Sequence, residues 1–215
     1  MPKTIAAPNP AQPHTFHAIR YAASAAQIEQ LPRDIGSEVA FVGRSNAGKS
    51  SAINAICGRR KLAFVSRTPG RTQMINFFEV APGRSIVDLP GYGYAKVPAD
   101  IRGRWEALLS FYLLRRQALH GLIIIVDARH GLTERDQHMI DWFAPTGKAI
   151  HVLLTKADKL TRQQQMFALR AAQKALCEMS QTATVQLFSS VTSDGVDQAR
   201  AVIMALWSAA AAAEG

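Results

Sequence analysis

The run GRSNAGKS at residues 43–50 limits the possible folds of this chain more than any other feature. It directly follows the apolar run EVAFV at 38–42 and opens the helical pattern SSAINAICG at 50–58. A glycine-rich loop that joins a strand to a helix and ends in Lys-Ser is typical of phosphate-binding loops. Its backbone N–H groups and the helix N-terminus both favour an anion. The alternative is a glycine turn without a ligand.

Several residues of this loop have an expected role. Gly43 and Gly48 let the backbone wrap closely around a β-phosphate. Lys49 is expected to reach the β- and γ-phosphates and is a candidate catalytic residue, and Ser50 is a candidate Mg²⁺ ligand through its hydroxyl. The complete predicted loop consists of Gly43, Arg44, Ser45, Asn46, Ala47, Gly48, Lys49 and Ser50.

Short apolar runs alternate with longer periodic segments along the rest of the chain. The apolar runs lie at 38–43, 74–80, 85–89, 122–128, 149–155 and 184–190, and further helical patterns lie at 99–117, 161–179 and 195–213. Runs such as LIIIV are too short for a helix and apolar on both faces, as a buried parallel strand requires. The pattern predicts an α/β fold with a mostly parallel six-stranded sheet, flanked by helices on both faces, and a ligand crevice at the carboxyl ends of the strands.

The predicted domain organisation is simple. Residues 1–16 are rich in proline and are predicted to form a disordered arm, and 17–213 a single domain that begins with a short helix at 21–35. No run approaches the length of a membrane span, and we expect a cytoplasmic protein. Cys57 and Cys177 are far apart and are expected to be reduced core thiols.

The chain is strongly basic, with 25 Lys and Arg against 16 Asp and Glu and a formal net charge of +9. This charge favours polyanionic partners, with nucleic acid first and an anionic membrane second. Two groups of basic residues are candidates for such a contact: Lys96, Arg102, Arg104, Arg115 and Arg116, and Arg59, Arg60 and Lys61. The alternative for residues at helix ends is complementarity to the helix dipole.

A tetrapeptide at the end of the strand at 149–155 indicates which base is bound. In Thr155-Lys156-Ala157-Asp158, the Asp158 carboxylate can accept hydrogen bonds from the N1–H and N2–H₂ groups of guanine, a pair of donors that adenine lacks. The stem of Lys156 can lie over the purine ring. The alternative is a strand-end turn with Asp158 as a helix cap. Ser189 and Ser190 follow the last strand and can contact the guanine oxygen through the backbone.

Two further segments are predicted to contact the γ-phosphate end. Asp88-Leu89-Pro90-Gly91 follows a strand, so that Asp88 can reach Mg²⁺ through water and the Gly91 N–H can touch the γ-phosphate. The polar segment SRTPGRTQ at 66–73 contains Thr72, the best candidate for a second hydroxyl ligand of Mg²⁺. Loops of this kind order with a triphosphate and relax after hydrolysis.

The runs GRSNAGKSS, SRTPGRTQMINFF, VDLPGYGYA, LLTKADKL and FSS, in this order, closely resemble the EngB (YihA/YsxC) family, within the translation-factor class and the TrmE-Era-EngA-like superfamily of GTPases. The resemblance spans about 17–208. It implies a P-loop GTPase G domain that binds GTP or GDP and Mg²⁺, acts in assembly of the large ribosomal subunit and is needed for normal cell division and septation. A monomer is expected, since nothing in the sequence requires more.

Site residues follow from this resemblance position by position. It implies a first switch of Gly70, Arg71, Thr72, Gln73 and Met74, a second switch of Asp88, Leu89, Pro90 and Gly91, a guanine motif of Thr155, Lys156, Ala157 and Asp158, and a base pocket completed by Phe188, Ser189 and Ser190. Ser50 and Thr72 are the implied metal ligands, and Thr72 and Gly91 join Lys49 as candidate catalytic residues. The guanine motif departs from the wider class, because Thr155 stands where an asparagine is usual.

The expected mechanism is that of a switch with slow hydrolysis. In Ras-like enzymes a glutamine just after the DxxG motif orients the attacking water. In this chain Tyr92 occupies that position, and its side chain has no amide group. Asn46 occupies the position at which a related subgroup of GTPases uses an asparagine to hold K⁺ beside the phosphates. The alternative role for Asn46 is a hydrogen bond from its side chain to its own backbone. Arg67 and Arg71 are expected either to neutralise charge that develops in the transition state or to contact partners or solvent.

Two other functions compete with this interpretation. A P-loop kinase or ATPase is the first, but TKAD stands where guanine is recognised. The second is a septation protein that binds GTP without ribosome-linked switching.

Overall fold

A computed structural model describes residues 13–60, 62, 74–92, 99–180 and 182–213. The strands are β1 (Arg20–Ala25), β2 (Ser37–Gly43), β3 (Ile75–Ala81), β4 (Arg84–Asp88), β5 (Leu119–Asp127), β6 (Ala149–Thr155) and β7 (Ala183–Leu187). The helices are α1 (Lys49–Ile56), α2 (Ala99–Arg115), α3 (Glu134–Phe143), α4 (Arg162–Met179) and α5 (Val196–Ala213). Short 3-10 helices lie at Pro13–Ala18, Ile28–Gln30, Ala144–Thr146 and Ala157–Lys159.

The described strands form one sheet in the order β1-β3-β4-β2-β5-β6-β7. The pairs from β4 to β7 are parallel, and β3 pairs antiparallel with both β1 and β4. The α/β fold with a mostly parallel sheet is therefore confirmed. All five parallel strands end at the same edge, where a ligand crevice is expected.

Helices cover both faces of the sheet, as predicted. The side chains of β5 alternate between two apolar clusters: Ile124 packs with residues of α2, α3 and α4, and Ile123 packs with residues of α1 and α5. A strand buried on both faces reads as a continuous apolar run, which explains why LIIIV signals a central strand. No helix in the described part of the chain is long and apolar enough to cross a membrane.

The prediction of six strands was wrong, because the sheet has seven. Residues 20–25 form edge strand β1, paired antiparallel with β3, where a helix over 21–35 was predicted. Only Ile28–Gln30 is helical there, as one turn of 3-10 helix. The run YAASA has good helix formers, but the hydrogen bonds that β3 offers to a neighbouring strand override that weak local preference.

The predicted end of the N-terminal arm at residue 16 was too late. Residues 13–18 form a 3-10 helix, and Phe16 is fully buried. Its ring stacks on Trp207 of α5 at a centroid distance of 5.6 Å, and the Arg200 guanidinium carbon lies 5.9 Å from the Phe16 ring centre. Burial of an aromatic ring outweighs the flexibility of a proline-rich stretch. Residues 1–12 of the predicted arm lie outside the described residues.

The remaining helices agree with their patterns, with one omission. Thr161 caps α4, because the Gln164 N–H donates to its hydroxyl oxygen at 3.3 Å. Helix α3 was missed, although Thr133 and Asp136 form a capping box at its start. Cys57 is buried as expected, but Cys177 is exposed on α4, so the prediction of a core thiol there was wrong. Cys177 lies on the solvent side of an amphipathic helix.

Candidate functional site

The fold brings four of the predicted segments to one edge of the sheet. The loop at 43–50 follows β2, DLPG at 88–91 follows β4, TKAD at 155–158 follows β6, and FSS at 188–190 follows β7. The carboxyl ends of parallel strands meet at this edge, which is why motifs distant in sequence become neighbours. Of the predicted first switch, only exposed Met74 lies within the described residues; Gly70, Arg71, Thr72 and Gln73 lie outside them.

Backbone geometry explains both outer glycines of the loop. A Cβ on Gly43 would lie 2.8 Å from the carbonyl oxygen of Ile125, so the close approach of β2 and β5 requires glycine. Gly48 caps α1 with φ of 105°, a conformation that side chains strain. Asn46 also has positive φ, at 63°, which asparagine tolerates better than most residues. The loop leads directly into the N-terminus of α1, where the helix dipole favours an anion.

An ion pair links the loop to the end of β4. The Lys49 ammonium donates a hydrogen bond to the Asp88 carboxylate, and both side chains are largely buried. Asp88 is held in register with Phe41 of β2, and the next N–H, of Leu89, donates to the Phe41 carbonyl at 2.9 Å. The predicted phosphate ligand and the predicted carboxylate of the metal site thus lie in direct contact.

Thr155 joins the TKAD motif to the phosphate-binding loop. Its hydroxyl lies 2.5 Å from the Ala47 carbonyl oxygen and 3.0 Å from that of Val126. A hydroxyl has a single proton, so it donates fully to one of these carbonyls at a time, whereas an amide carries two donor protons. The threonine therefore ties the loop to β6, in the place where the wider class has asparagine.

Lys156 makes a second bridge between the same segments. It adopts a left-handed backbone conformation with φ of 59°, and its ammonium lies 2.6 Å from the Asn46 carbonyl oxygen and 2.9 Å from Oδ2 of Asp127. Arg129 also contacts Asp127, at 2.9 and 2.7 Å. Burial alone would raise the pKa of Asp127, but the hydrogen bonds from Arg129 and Lys156 lower it well below its usual range.

Asp127 and Arg129 were not among the predicted site residues. The available signal was an aspartate at the end of a buried strand, in LIIIVDAR, which is the position where functional carboxylates collect in parallel sheets.

The ends of β6 and β7 are in direct contact at Asp158. The Ser189 hydroxyl donates to Oδ1 of Asp158 at 2.7 Å, and this bond lowers the pKa of the carboxyl. The Ala157 N–H donates to the Phe188 carbonyl at 3.2 Å. Phe188 and Ser189 are fully buried, and Ser190 is exposed. Sequence reasoning expected only a backbone role for Ser189, so the side-chain bond to Asp158 is a new feature.

Tyr92, the residue after DLPG, points away from solvent. Its hydroxyl donates to Oδ1 of Asp136 on α3, and its backbone pairs with Arg44. Burial, with the Asp136 charge as the second cause, raises the pKa of Tyr92 far above its usual value. The Tyr92 hydroxyl is thus a buried hydrogen-bond donor.

Arg116 was predicted to contact a polyanion, but it is buried in the structure and is not part of an exposed basic surface. Arg116 is 3% exposed and binds the buried Glu38 carboxylate at 2.6 and 3.0 Å. It also donates to the carbonyls of Pro32 and Arg33, so it anchors the loop before β2. Arg115, Arg59 and Arg60 are exposed, and Arg59 donates to the His17 carbonyl at 2.6 Å. Lys61, Lys96 and the side chains of Arg102 and Arg104 lie outside the described residues.

Comparison with known proteins agrees with this arrangement of segments. Residues 38–156, more than half of the chain, match the family described as 50S ribosome-binding GTPase. A relative from Burkholderia pseudomallei (strain 1106a), named "Probable GTP-binding protein EngB", is 52% identical over 208 residues, which cover 93% of this chain and 94% of the relative.

Solved structures show the same fold. The crystal structure of a probable GTP-binding protein engB aligns with a TM-score of 0.60 and 20% identity, over 80% of this chain and 98% of that one. The structure of Era in complex with MgGDPNP and nucleotides 1506–1542 of 16S ribosomal RNA aligns with a TM-score of 0.61 and 21% identity, over 80% and 56%. On the sequence matches, this chain belongs to the EngB family of GTP-binding proteins, and it is a P-loop GTPase.

Proposed function

We propose that this GTPase is a monomeric cytoplasmic switch that hydrolyses GTP slowly, acts in assembly of the large ribosomal subunit and is needed for normal cell division and septation. One observation carries the switch: Thr155 and Lys156 both bond to carbonyls of the phosphate-binding loop. These contacts would couple the phosphate-binding loop to the base pocket. The DLPG segment contacts the same loop through Asp88 and Lys49.

The residues of the loop fit a nucleotide phosphate chain. Backbone N–H groups of residues 43–50 would surround the β-phosphate, and Lys49 would bind the β- and γ-phosphates. Mg²⁺ prefers hard oxygen ligands, and the hydroxyls of Ser50 and Thr72 would hold it, with Asp88 reaching it through water. The ion would neutralise charge on the phosphates. Arg71 and Gln73 flank Thr72 in the sequence and would belong to the first switch, and Gly91 would donate its N–H to the γ-phosphate.

Asp158 is the residue that would select guanine. Its carboxylate is ionised at neutral pH, as an aspartate ordinarily is, and the Ser189 hydroxyl, which lowers its pKa further, holds one of its oxygens. Without guanine the carboxylate would lose two charge-assisted hydrogen bonds, and a pocket of this type rejects the wrong base by about 10⁴. Competition binding tests this directly: GTP and GDP should displace labelled GDP, and ATP should not. Displacement by ATP at comparable concentration would instead indicate a kinase or ATPase.

Hydrolysis by the protein alone is expected to be slow. The position that orients water in Ras-like enzymes is Tyr92, whose hydroxyl is bonded to Asp136 and which carries no amide. Steady-state phosphate release measures this rate. Turnover of several per second, which is usual for enzymes, would contradict the proposal.

Asn46 makes K⁺ a candidate second cation. Its backbone is in the left-handed region and its side chain is exposed at the rim of the loop. Hydrolysis rates in KCl and NaCl at equal ionic strength decide the matter: a faster rate in KCl supports a K⁺ site, and equal rates reject it.

The ribosomal part of the proposal rests on family and charge. The matching family is described as 50S ribosome-binding, and the chain carries a net charge of +9. Arg115 at the end of α2 and Arg59 and Arg60 after α1 are exposed basic residues that can meet RNA phosphates. Binding to ribosomal RNA should weaken steeply with salt, because each phosphate contact releases counterions. A flat salt dependence would reject an RNA-led contact.

A further inference from the structure

We infer that Asp136 of α3 is a positioning residue for recognition of the γ-phosphate, and that it acts through the hydroxyl of Tyr92. The inference rests on the proposed contact between the Gly91 N–H and the γ-phosphate, and it adds a third element, α3, to the nucleotide switch. It follows from the way in which the backbone and the side chain of Tyr92 are held.

The backbone around Gly91 is fixed on both sides. Before it, the Leu89 N–H donates to the Phe41 carbonyl at 2.9 Å, which continues the pairing of β4 with β2. After it, Tyr92 pairs in parallel with Arg44, the second residue of the phosphate-binding loop. Residues 89–92 therefore run along the loop, and Gly91 lies between two backbone anchors.

The side chain of Tyr92 provides a third anchor that reaches a different helix. Tyr92 is 8% exposed, and its hydroxyl donates to Oδ1 of Asp136, which is 1% exposed. The other oxygen of Asp136 accepts from the Thr133 N–H at 2.9 Å and from the Thr133 hydroxyl at 2.6 Å. The capping box of α3 thus fixes the carboxylate from one side while Tyr92 uses the other.

The Tyr92 hydroxyl carries the proton that it donates to Asp136. A tyrosine hydroxyl is protonated at physiological pH, and burial with the neighbouring Asp136 raises the pKa of Tyr92 further. Arg44 and Asp136 line the same cavity of about 180 Å³ between the loop and α3.

A fixed donor binds its ligand more tightly than a mobile one, because less conformational freedom is lost on binding. Gly91 would contact only the γ-phosphate, so this gain applies to GTP and not to GDP. Tyr92 thus anchors the second switch at the position where Ras-like enzymes place a glutamine for water. Asp136 sets the preference between triphosphate and diphosphate without touching either.

The test is the affinity of Tyr92→Phe for GDP and for a non-hydrolysable GTP analogue. The variant retains the ring and removes only the hydroxyl that donates to Asp136. We expect affinity for the analogue to fall roughly three- to tenfold, less than the full loss of a bond to a charged group because the hydroxyl acts only through Gly91, while affinity for GDP is unchanged. Asp136→Asn should show the same selective loss, and adding it to Tyr92→Phe should cause little further change.

Tyr112→Phe is a matched control. Tyr112 is also a buried tyrosine, and its hydroxyl donates to the buried Glu38 carboxylate at 2.9 Å, but at the opposite edge of the sheet. It should affect stability as Tyr92→Phe does and leave both nucleotide affinities unchanged. An unchanged ratio of analogue to GDP affinity in Tyr92→Phe, or an equal loss for both nucleotides, would overturn the inference. If the unmodified chain bound no guanine nucleotide, the proposed function itself would fail.

Discussion

Arg116→Met is predicted to destabilise the fold strongly, although Arg116 belongs to a basic stretch that resembles an RNA-binding surface. Its guanidinium makes a two-point contact with Glu38, at 2.6 Å and 3.0 Å. It also donates to the carbonyls of Pro32 and Arg33 at 2.8 and 3.1 Å. Its guanidinium carbon lies 5.6 Å from the Phe77 ring centre.

The magnitude follows from what the substitution leaves behind. Glu38 is 5% exposed and would retain only the Tyr112 hydroxyl among the described contacts of its carboxylate. Removing one partner of a buried ion pair costs about 3–5 kcal/mol, because the other charge remains buried without compensation. For a chain of this size each kcal/mol lowers the melting temperature by about 2–4 °C, so a decrease of roughly 6–20 °C is expected.

Chemical denaturation followed by circular dichroism measures this loss. Arg115→Met is the control, because Arg115 is the exposed neighbour on the same helix, and it should change stability by less than about 0.5 kcal/mol. Glu38→Leu combined with Arg116→Met should be more stable than Arg116→Met alone, since the orphaned charge is removed. A loss below about 1 kcal/mol for Arg116→Met, with weakened RNA binding, would refute this account and return Arg116 to the docking surface.

Two further predictions concern pH and nucleotide affinity. Burial lowers the pKa of His151 from 6.5 to about 4, so the unfolded chain takes up a proton that the folded chain refuses as pH falls from about 6.5 to 4. Stability should fall by at most about 3 kcal/mol over this window, and denaturation of His151→Gln across the same range should show a flatter profile. Asp127→Asn removes a charge that holds Lys156 and should weaken GDP and GTP equally, by roughly fivefold, in nucleotide dissociation assays. Asp197→Asn, which breaks an exposed pair with Arg200, is its control; equal effects of the two would contradict a role for Asp127 at the site.

The parts of the fold that the sequence predicted are those with strong local signals. LIIIV and AIHVLLT are apolar on both faces because the strands are covered on both faces, and the prediction of central parallel strands was confirmed. Edge strand β1 lacks such a signal, since YAASA has small residues and gains its hydrogen bonds only from distant β3. Phe16 fixes the N-terminal segment by stacking on Trp207. The two residues are far apart in the sequence, and sequence spacing cannot reveal such a contact.

In the candidate site, too, the sequence predicted the residues with strong local signals and missed their distant partners. Motifs with fixed spacing placed the residues around Lys49 and Asp158, because a parallel sheet brings strand ends together whatever the intervening sequence. The partners of those motifs were not predictable: Asp127 holds Lys156, and Asp136 of α3 holds Tyr92, through contacts between segments that are distant in sequence. Charge alone misplaced Arg116, because a buried arginine and an exposed one look alike in sequence. The nucleotide-binding roles of all these motif residues stay predictions, and Gly70, Arg71, Thr72 and Gln73 also lie outside the described residues.

We propose that the nucleotide controls binding to the ribosome. Sedimentation of the purified protein with isolated ribosomal subunits, in GDP and in a non-hydrolysable GTP analogue, tests this proposal. We expect selective binding to the large subunit in the analogue and release in GDP, with weaker binding as salt rises. Equal binding in both nucleotides would contradict the switch. No association with either subunit would contradict the ribosomal role and favour a septation protein that binds GTP without it.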